Sequence, residues 1–225
     1  SLMLGEAIND NSKIAISLNS IGEILVAQGY YRKALENFKQ SLALLEVLDN
    51  KRNMADALAN IGLCYTNLGD YTLAFDYYER SLEYSKEVDD KIGIIQTLHD
   101  IGRAYLQQNE QLKALASFQE SVKLSKEVDY KRGTVLSLTD IGKIYYDLKD
   151  YSLSLKYCQE SHMLSKEMGA LELQKNACDW IYMNYKALDN KALALDYIEE
   201  LNVLDDSLKE KETEKALQQM EFERT

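Results

Sequence analysis

The stretch LANIGLCYTNLGDYTLAFDYYERSL, residues 58–82, decides the fold. Its first half places Leu58, Ile61, Tyr65 and Leu68 at the i, i+3, i+7, i+10 spacing of one helical face. Gly69-Asp70 then supplies a helix stop and a short turn. The second half sets Tyr71, Ala74, Phe75, Tyr78 and Leu82 at helical spacing again. The unit reads as two helices joined by a tight turn. It ends near Val88, where Asp89-Asp90-Lys91 supplies a second turn and an N-cap for the next helix.

Outward from this stretch, the same pattern recurs. Ile-Gly occurs at Ile21-Gly22, Ile61-Gly62, Ile101-Gly102 and Ile141-Gly142, 40 residues apart each time. A leucine precedes each pair by three residues, at Leu18, Leu58, Leu98 and Leu138. A small residue follows the glycine by twelve, at Ala34, Ala74, Ala114 and Ser154, with Ala194 in a fifth unit. Four residues later come Phe38, Tyr78, Phe118, Cys158 and Ile198, and three after those come Ser41, Ser81, Ser121 and Ser161. The other turns fall at Gln28-Gly29, Gln108-Asn109 and Leu148-Lys149-Asp150, the last without glycine or asparagine. Glycine inside a helix costs about 1 kcal/mol relative to alanine. Four occurrences in one phase therefore imply a close approach of the two helices, with the glycine expected to face the small residue of the second helix.

Leucine, Ile-Gly, tyrosine, a small residue and an aromatic at these intervals resemble the tetratricopeptide repeat. Ile61-Gly62-x-x-Tyr65-x-x-Leu68-Gly69-Asp70-Tyr71-x-x-Ala74 carries the likeness. It covers about nine tenths of the chain. The 40-residue period resembles a long-repeat branch found in adaptors of receptor and spindle signalling and in bacterial peptide-sensing regulators. The family's proline near the end of the second helix is absent, and Glu46, Lys86, Lys126 and Lys166 stand there. The resemblance implies an all-α, right-handed superhelical solenoid of antiparallel hairpins whose concave groove binds a protein or peptide.

The register predicts five hairpins within residues 10–207, at about 11–49, 50–89, 90–129, 130–169 and 170–207. Ser1-Leu2-Met3-Leu4 aligns with Ser41-Leu42-Ala43-Leu44, so residues 1–9 are expected to close the second helix of a preceding, truncated repeat. The fifth hairpin is degenerate, with Tyr182 in the glycine position and Trp180 before it. Residues 208–225 form a charge-rich C-terminal helix or connector, and its stripe of Leu208, Leu217 and Met220 offers a surface for pairing with a second copy.

Composition narrows the function. The chain has 225 residues, a net charge of -11 and no proline. An acidic surface is unsuited to phosphate backbones or anionic lipid, so neither nucleic acid nor membrane contact is expected. No apolar run approaches the roughly 20 residues of a membrane span. Cys64, Cys158 and Cys178 form no CxxC pair and read as small core residues in a reducing, cytoplasmic setting, a periplasmic one being the alternative for part of a membrane sensor. His99 and His162 lie in no metal-ligand ladder, and hydrolase, zincin and phosphate-loop motifs are missing. The expectation is a non-enzymatic module without cofactor or metal.

Binding residues follow from the helical wheel. With Leu18, Ile21 and Leu25 facing the core, the positions two before and two after each isoleucine lie opposite. They include Asn19, Glu23, Leu63, His99, Arg103, Thr139 and Lys143, and one further turn adds Tyr146. In the resembled family these positions contact the bound peptide. Arg103 and Lys143 are cations in an acidic chain, suited to an acidic side chain or a C-terminal carboxylate. Glu23 breaks the Lys/Asn pattern by which some relatives clamp chaperone tails. Two alternatives stand beside the scaffold reading: a regulator that switches conformation on binding a signal peptide, and the sensory segment of a histidine kinase or nucleotide cyclase whose catalytic domain lies outside this chain. Tyr65, Tyr105, Tyr145 and Tyr185 recur in one phase and read as packing residues with a polar tip.

Overall fold

The computed structural model describes the backbone of residues 2–222 and the side chains of residues 10–222. Ten α-helices follow one another, with no strand among the described residues. They are α1 Leu2–Ala27, α2 Tyr31–Val47, α3 Lys51–Leu68, α4 Tyr71–Glu87, α5 Lys91–Gln107, α6 Gln111–Glu127, α7 Lys131–Asp147, α8 Tyr151–Glu167, α9 Leu171–Ala187 and α10 Lys191–Phe222. The chain divides into two compact units, residues 1–124 and 125–225. In each, consecutive antiparallel helices pack into hairpins, and hairpins stack on one another.

Every turn is built the same way. One residue adopts a left-handed conformation: Gly29, Gly69, Asn109, Lys149 and Asp189 within hairpins, and Asp49, Asp89, Asp129 and Gly169 between them. At the 69 turn, Gly69 N donates to Thr66 O at 3.1 Å and Asp70 N to Tyr65 O at 3.0 Å, the paired bonds that satisfy the last carbonyls of a helix. At Lys149, φ 63°, the same pair forms: Lys149 N donates to Tyr146 O and Asp150 N to Tyr145 O, both at 2.9 Å. The turn that composition left least specified is therefore geometrically ordinary, held by its neighbours against lysine's preference. Asn50, Asp70, Asp90, Asp150 and Asn190 then cap the next helix, each side chain accepting from the N–H three residues on, whereas Tyr30, Tyr130 and Ala170 precede their helices without a side-chain cap.

The helical glycines face a different partner from the one the sequence suggested. A Cβ at Gly22 would lie 2.5 Å from the Phe38 ring, at Gly62 2.7 Å from Tyr78, and at Gly102 2.6 Å from Phe118. At Gly142 it would overlap the Cys158 sulfur. The contact is thus with the residue four beyond the small one, and the small residue contributes mainly its backbone, as Ala74 O does at 3.1 Å from the Gly62 position. Small residues at 34, 74, 114 and 154 bring the backbones close, and the glycine then makes room for a buried ring.

The recurring serine has a structural role that spacing alone did not disclose. Ser41, Ser81, Ser121 and Ser161 donate across the hairpin to the carbonyls of Ala15, Ala55, Ile95 and Val135, each 26 residues earlier, at 2.7, 2.9, 3.2 and 3.0 Å. A buried hydroxyl is satisfied by a backbone oxygen already inside its own helix ladder, which uses the second lone pair of that carbonyl. The bond fixes the register of one helix against the other.

Two expectations are modified at the ends. Ile21 was placed in the core with Leu18 and Leu25, yet it is 47% exposed. Its counterpart Ile61 is buried in one cluster with Phe38 and Leu42 of the preceding helix, and no described helix occupies that place for α1. The expectation that residues 1–9 close an earlier repeat falls on side chains outside the described set, and the backbone there continues into α1 without a turn. Likewise α10 runs unbroken through residue 208, so the charged C-terminal segment extends the second helix of the fifth hairpin.

Gly62→Ala is expected to destabilise the chain by about 1–3 kcal/mol through overpacking against Tyr78. That loss should shrink in a Tyr78→Leu background, as read by a double-mutant cycle of urea melts. Lys149→Gly is expected to raise stability by about 0.5–1 kcal/mol, because glycine relieves the left-handed strain, in the same measurement.

Candidate partner-binding surface

The position two residues after each helical isoleucine or its equivalent is outward-facing. Glu23, Arg103, Lys143 and Met183 are exposed, and Leu63 is half-buried. The position two residues before behaves differently. Asn19 is half-buried: its amide donates to Glu23 Oε1 at 2.8 Å, and its carbonyl oxygen accepts from Asn60 Nδ2 at 3.4 Å. This links the first hairpin to the second and leaves Glu23 partly engaged. His99 packs against the Phe118 ring at 5.3 Å with Nδ1 4.0 Å from Asp100 Oδ1. Burial pushes the Asp100 carboxyl up, and His99 and Arg103 pull it down.

Thr139 must be removed from the surface. It is only 6% exposed, and its hydroxyl bonds Val135 O at 2.9 Å and Ser161 Oγ at 2.7 Å. A short β-branched side chain folds back on its own helix and meets the serine of the facing helix. Thr66, at the repeat position of Tyr146, is buried for the same reason, bonding Gly62 O at 3.0 Å and Tyr78 Oη at 3.1 Å.

In the unit 125–225, Lys143 and Tyr146 come together with residues that spacing did not select. The Lys143 ammonium lies 5.7 Å from the Trp180 ring centre. Tyr146 meets Trp180 edge-on at 5.4 Å and Tyr151 at 5.5 Å. Trp180 and Tyr151 are half-buried, so each ring keeps an accessible edge. The recurring tyrosines pack as expected: Tyr65 on Tyr77, Tyr145 on Tyr157 and Tyr185 on Tyr197, all with ring centres 5.5–5.6 Å apart. Their tips are polar contacts, with Tyr65 Oη accepting from Lys39 Nζ at 2.9 Å and Tyr185 Oη from Gln159 Nε2 at 3.1 Å.

A second group of polar residues was read singly from the sequence and is gathered by the fold. His162 of α8, Cys178 of α9 and Glu200 of α10 place one side-chain donor atom each within 4.8 Å of one another. His162 Nε2 is 3.0 Å from Glu200 Oε1, and Gln174 Nε2 donates to the same oxygen at 3.1 Å. Their separations in sequence match no ligand motif. The signal was in the register: His162 stands where other repeats carry Leu42, Leu82 and Val122, and Cys178 where they carry Leu18, Leu58, Leu98 and Leu138. Cys64, Cys158 and Cys178 are all free and buried, and burial pushes each thiol up to about 12, which makes them poor nucleophiles.

The model of the tetratricopeptide repeat family matches residues 53–127. The fold is that of the tetratricopeptide repeat. BtubC (BKLC) from P. vanneervenii shares it with TM-score 0.70 and 13% identity, over 92% of this chain and 92% of that one. Aspartyl phosphate phosphatase F from Bacillus subtilis shares it with TM-score 0.78 and 16% identity, over 92% of this chain and 55% of that one. A Rap protein complexed with competence and sporulation factor shares it with TM-score 0.74 and 13% identity, over 86% of this chain and 54% of that one. The chain spans little more than half the length of the last two. No curated protein matches the sequence. Among the described residues, no helix is long and apolar enough to cross a membrane.

Thr139→Val is expected to cost about 1 kcal/mol of stability through the lost bond to Ser161, and to leave the outward surface unchanged. Chemical denaturation compared with tryptophan emission checks both parts.

Proposed function

We propose that the chain is a non-enzymatic scaffold that binds a protein or peptide through the outward faces of the first helices of its hairpins, as one part of a larger signalling protein. The observation that carries this is the group formed by Lys143, Tyr146, Tyr151 and Trp180. An exposed ammonium is held beside a tryptophan and flanked by tyrosines, in a chain whose net charge is -11. Aromatic edges supply apolar contact area and the cation supplies direction, the side-chain types that dominate binding at protein interfaces. The complementary partner is an acidic side chain or a C-terminal carboxylate. In the other unit Arg103 occupies the same repeat position and remains exposed, offering a second contact of the same sign beside His99. Within the unit 1–124, Asn19, Glu23 and Leu63 lie on the same side of the first two hairpins, with polar and apolar rather than basic chemistry.

A second reading is a regulator whose array changes conformation on binding a signal. The likeness in fold to the Rap protein complexed with competence and sporulation factor favours it.

Trp180 is the only tryptophan, so its emission reports occupation of this surface. Peptides selected by display for binding should be enriched in acidic residues or a free acidic C-terminus, and should perturb that emission. Lys143→Ala is expected to weaken them by about 1.5–3 kcal/mol, roughly tenfold to a hundredfold in Kd. Affinity unaltered by both Lys143→Ala and Arg103→Ala would reject the proposal.

A further inference from the structure

Three core positions change chemistry together in the last two hairpins. The position of His162 is Leu42, Leu82 and Val122 in the first three hairpins and Asn202 in the fifth, and that of Cys178 is leucine in all four other repeats. The position of Gln174 is Ile14, Met54, Ile94 and Thr134. Independent drift would scatter such changes, but the fold brings all three to one place, facing Glu200 of α10. Aliphatic residues at these three positions would pack without polar atoms, as Leu42, Met54 and Leu58 do. Burying an imidazole, a thiol and an amide there instead carries a desolvation cost that calls for a compensating partner.

We propose that His162, Cys178 and Glu200 form a site for a divalent transition-metal ion, with zinc as its ion. Nitrogen, sulfur and oxygen donors in one set suit zinc, which accepts all three and favours four-coordination. Zinc–ligand bonds of about 2.0–2.3 Å put tetrahedral ligand atoms about 3.3–3.8 Å apart. The three atoms already lie within 4.8 Å of one another, so small side-chain rotations close the site. The His162 Nε2–Glu200 Oε1 contact of 3.0 Å opens by a few tenths of an ångström as both turn toward the ion.

The surroundings fit the assignment. Gln174 Nε2, donating to Glu200 Oε1 at 3.1 Å, orients the carboxylate as an outer-shell donor does in metal sites. Tyr197 O accepts from the Cys178 thiol at 3.6 Å, so the sulfur already points along α10 toward Glu200. Cys178 is fully buried, whereas the Glu200 side chain retains about a quarter of its exposure, which gives an ion an entry side and leaves the fourth position to water. Lys166 Nζ, 3.9 Å from Glu200 Oε1, is mostly exposed and free to swing away when the carboxylate takes a cation. The three ligands come from three successive helices, so the ion would clasp the last two hairpins where the glycine contact is missing, Tyr182 standing in its place.

The test is a titration of the reduced, chelator-stripped 225-residue chain with Co2+ as spectroscopic probe, followed by displacement with Zn2+. One equivalent of Co2+ should produce a thiolate-to-cobalt charge-transfer band with visible absorption of a four-coordinate ion, and Zn2+ should abolish both. Cys178→Ser and His162→Gln should each remove the band, while Cys64→Ser and Cys158→Ser should retain it. Gln174→Met, which installs the residue of the second hairpin, should weaken binding by about tenfold to a hundredfold with the band still present at saturation. No band for the folded parent chain at saturating Co2+ overturns the proposal. So does a band that survives in Cys178→Ser, or in His162→Gln should the serine variant not fold.

Discussion

The structure depends on one close approach, that of a glycine backbone to a buried ring. At Gly22, Gly62 and Gly102 an added methyl group would meet Phe38, Tyr78 and Phe118 well inside van der Waals contact. That approach sets the separation of the two helices in a hairpin. The buried serine bond then sets their axial register, and left-handed residues at every turn let the chain reverse at the same point each time. Separation, register and reversal together define a hairpin, and copying them at a constant interval lets hairpins stack within each compact unit. The chain therefore needs no sheet and no long-range topology: most of its contacts are between neighbours in sequence.

Much of this was legible in the residues because repetition reads out the same environment several times. The phase of Ile-Gly, the small residue and the turns pointed to an all-helical repeat of hairpins, which the described helices show, and the fifth unit keeps its small residue Ala194 although Tyr182 replaces the glycine. What was not legible were contacts between helices that periodicity leaves undefined. The glycine was paired with the small residue when its true neighbour is the ring one turn further on, since a helical wheel gives direction but not depth. The serine could be seen to recur, but its acceptor, a backbone carbonyl 26 residues earlier, has no side-chain signature. Thr139 failed as a surface residue because a short hydroxyl finds its own helix carbonyl and a facing serine before it finds solvent. Ile21 failed as a core residue because burial at that position is supplied by the helix before it.

The proposed binding and metal sites fall where the repeats differ. Positions fixed by packing recur, and those free of packing vary: Glu23, Leu63, Arg103, Lys143 and Met183 share one repeat phase and range from acidic through apolar to basic. Such a surface can be tuned residue by residue without disturbing the stack, which is how a repeat array acquires a particular partner. The aromatic group around Trp180 and the polar group around His162 lie in the last hairpins, where the repeat pattern is most degenerate. There the geometric constraint of glycine against ring is relaxed, and larger or more polar side chains are admitted.

The most direct test of the hairpin geometry is a nuclear Overhauser experiment on the glycine α-protons. The account predicts cross-peaks from Gly22 to the Phe38 ring, Gly62 to the Tyr78 ring and Gly102 to the Phe118 ring, and none from Gly142 to an aromatic ring, since Cys158 faces it. Glycine α-protons that show no contact with those rings, or a Gly142 that behaves like the other three, would contradict it.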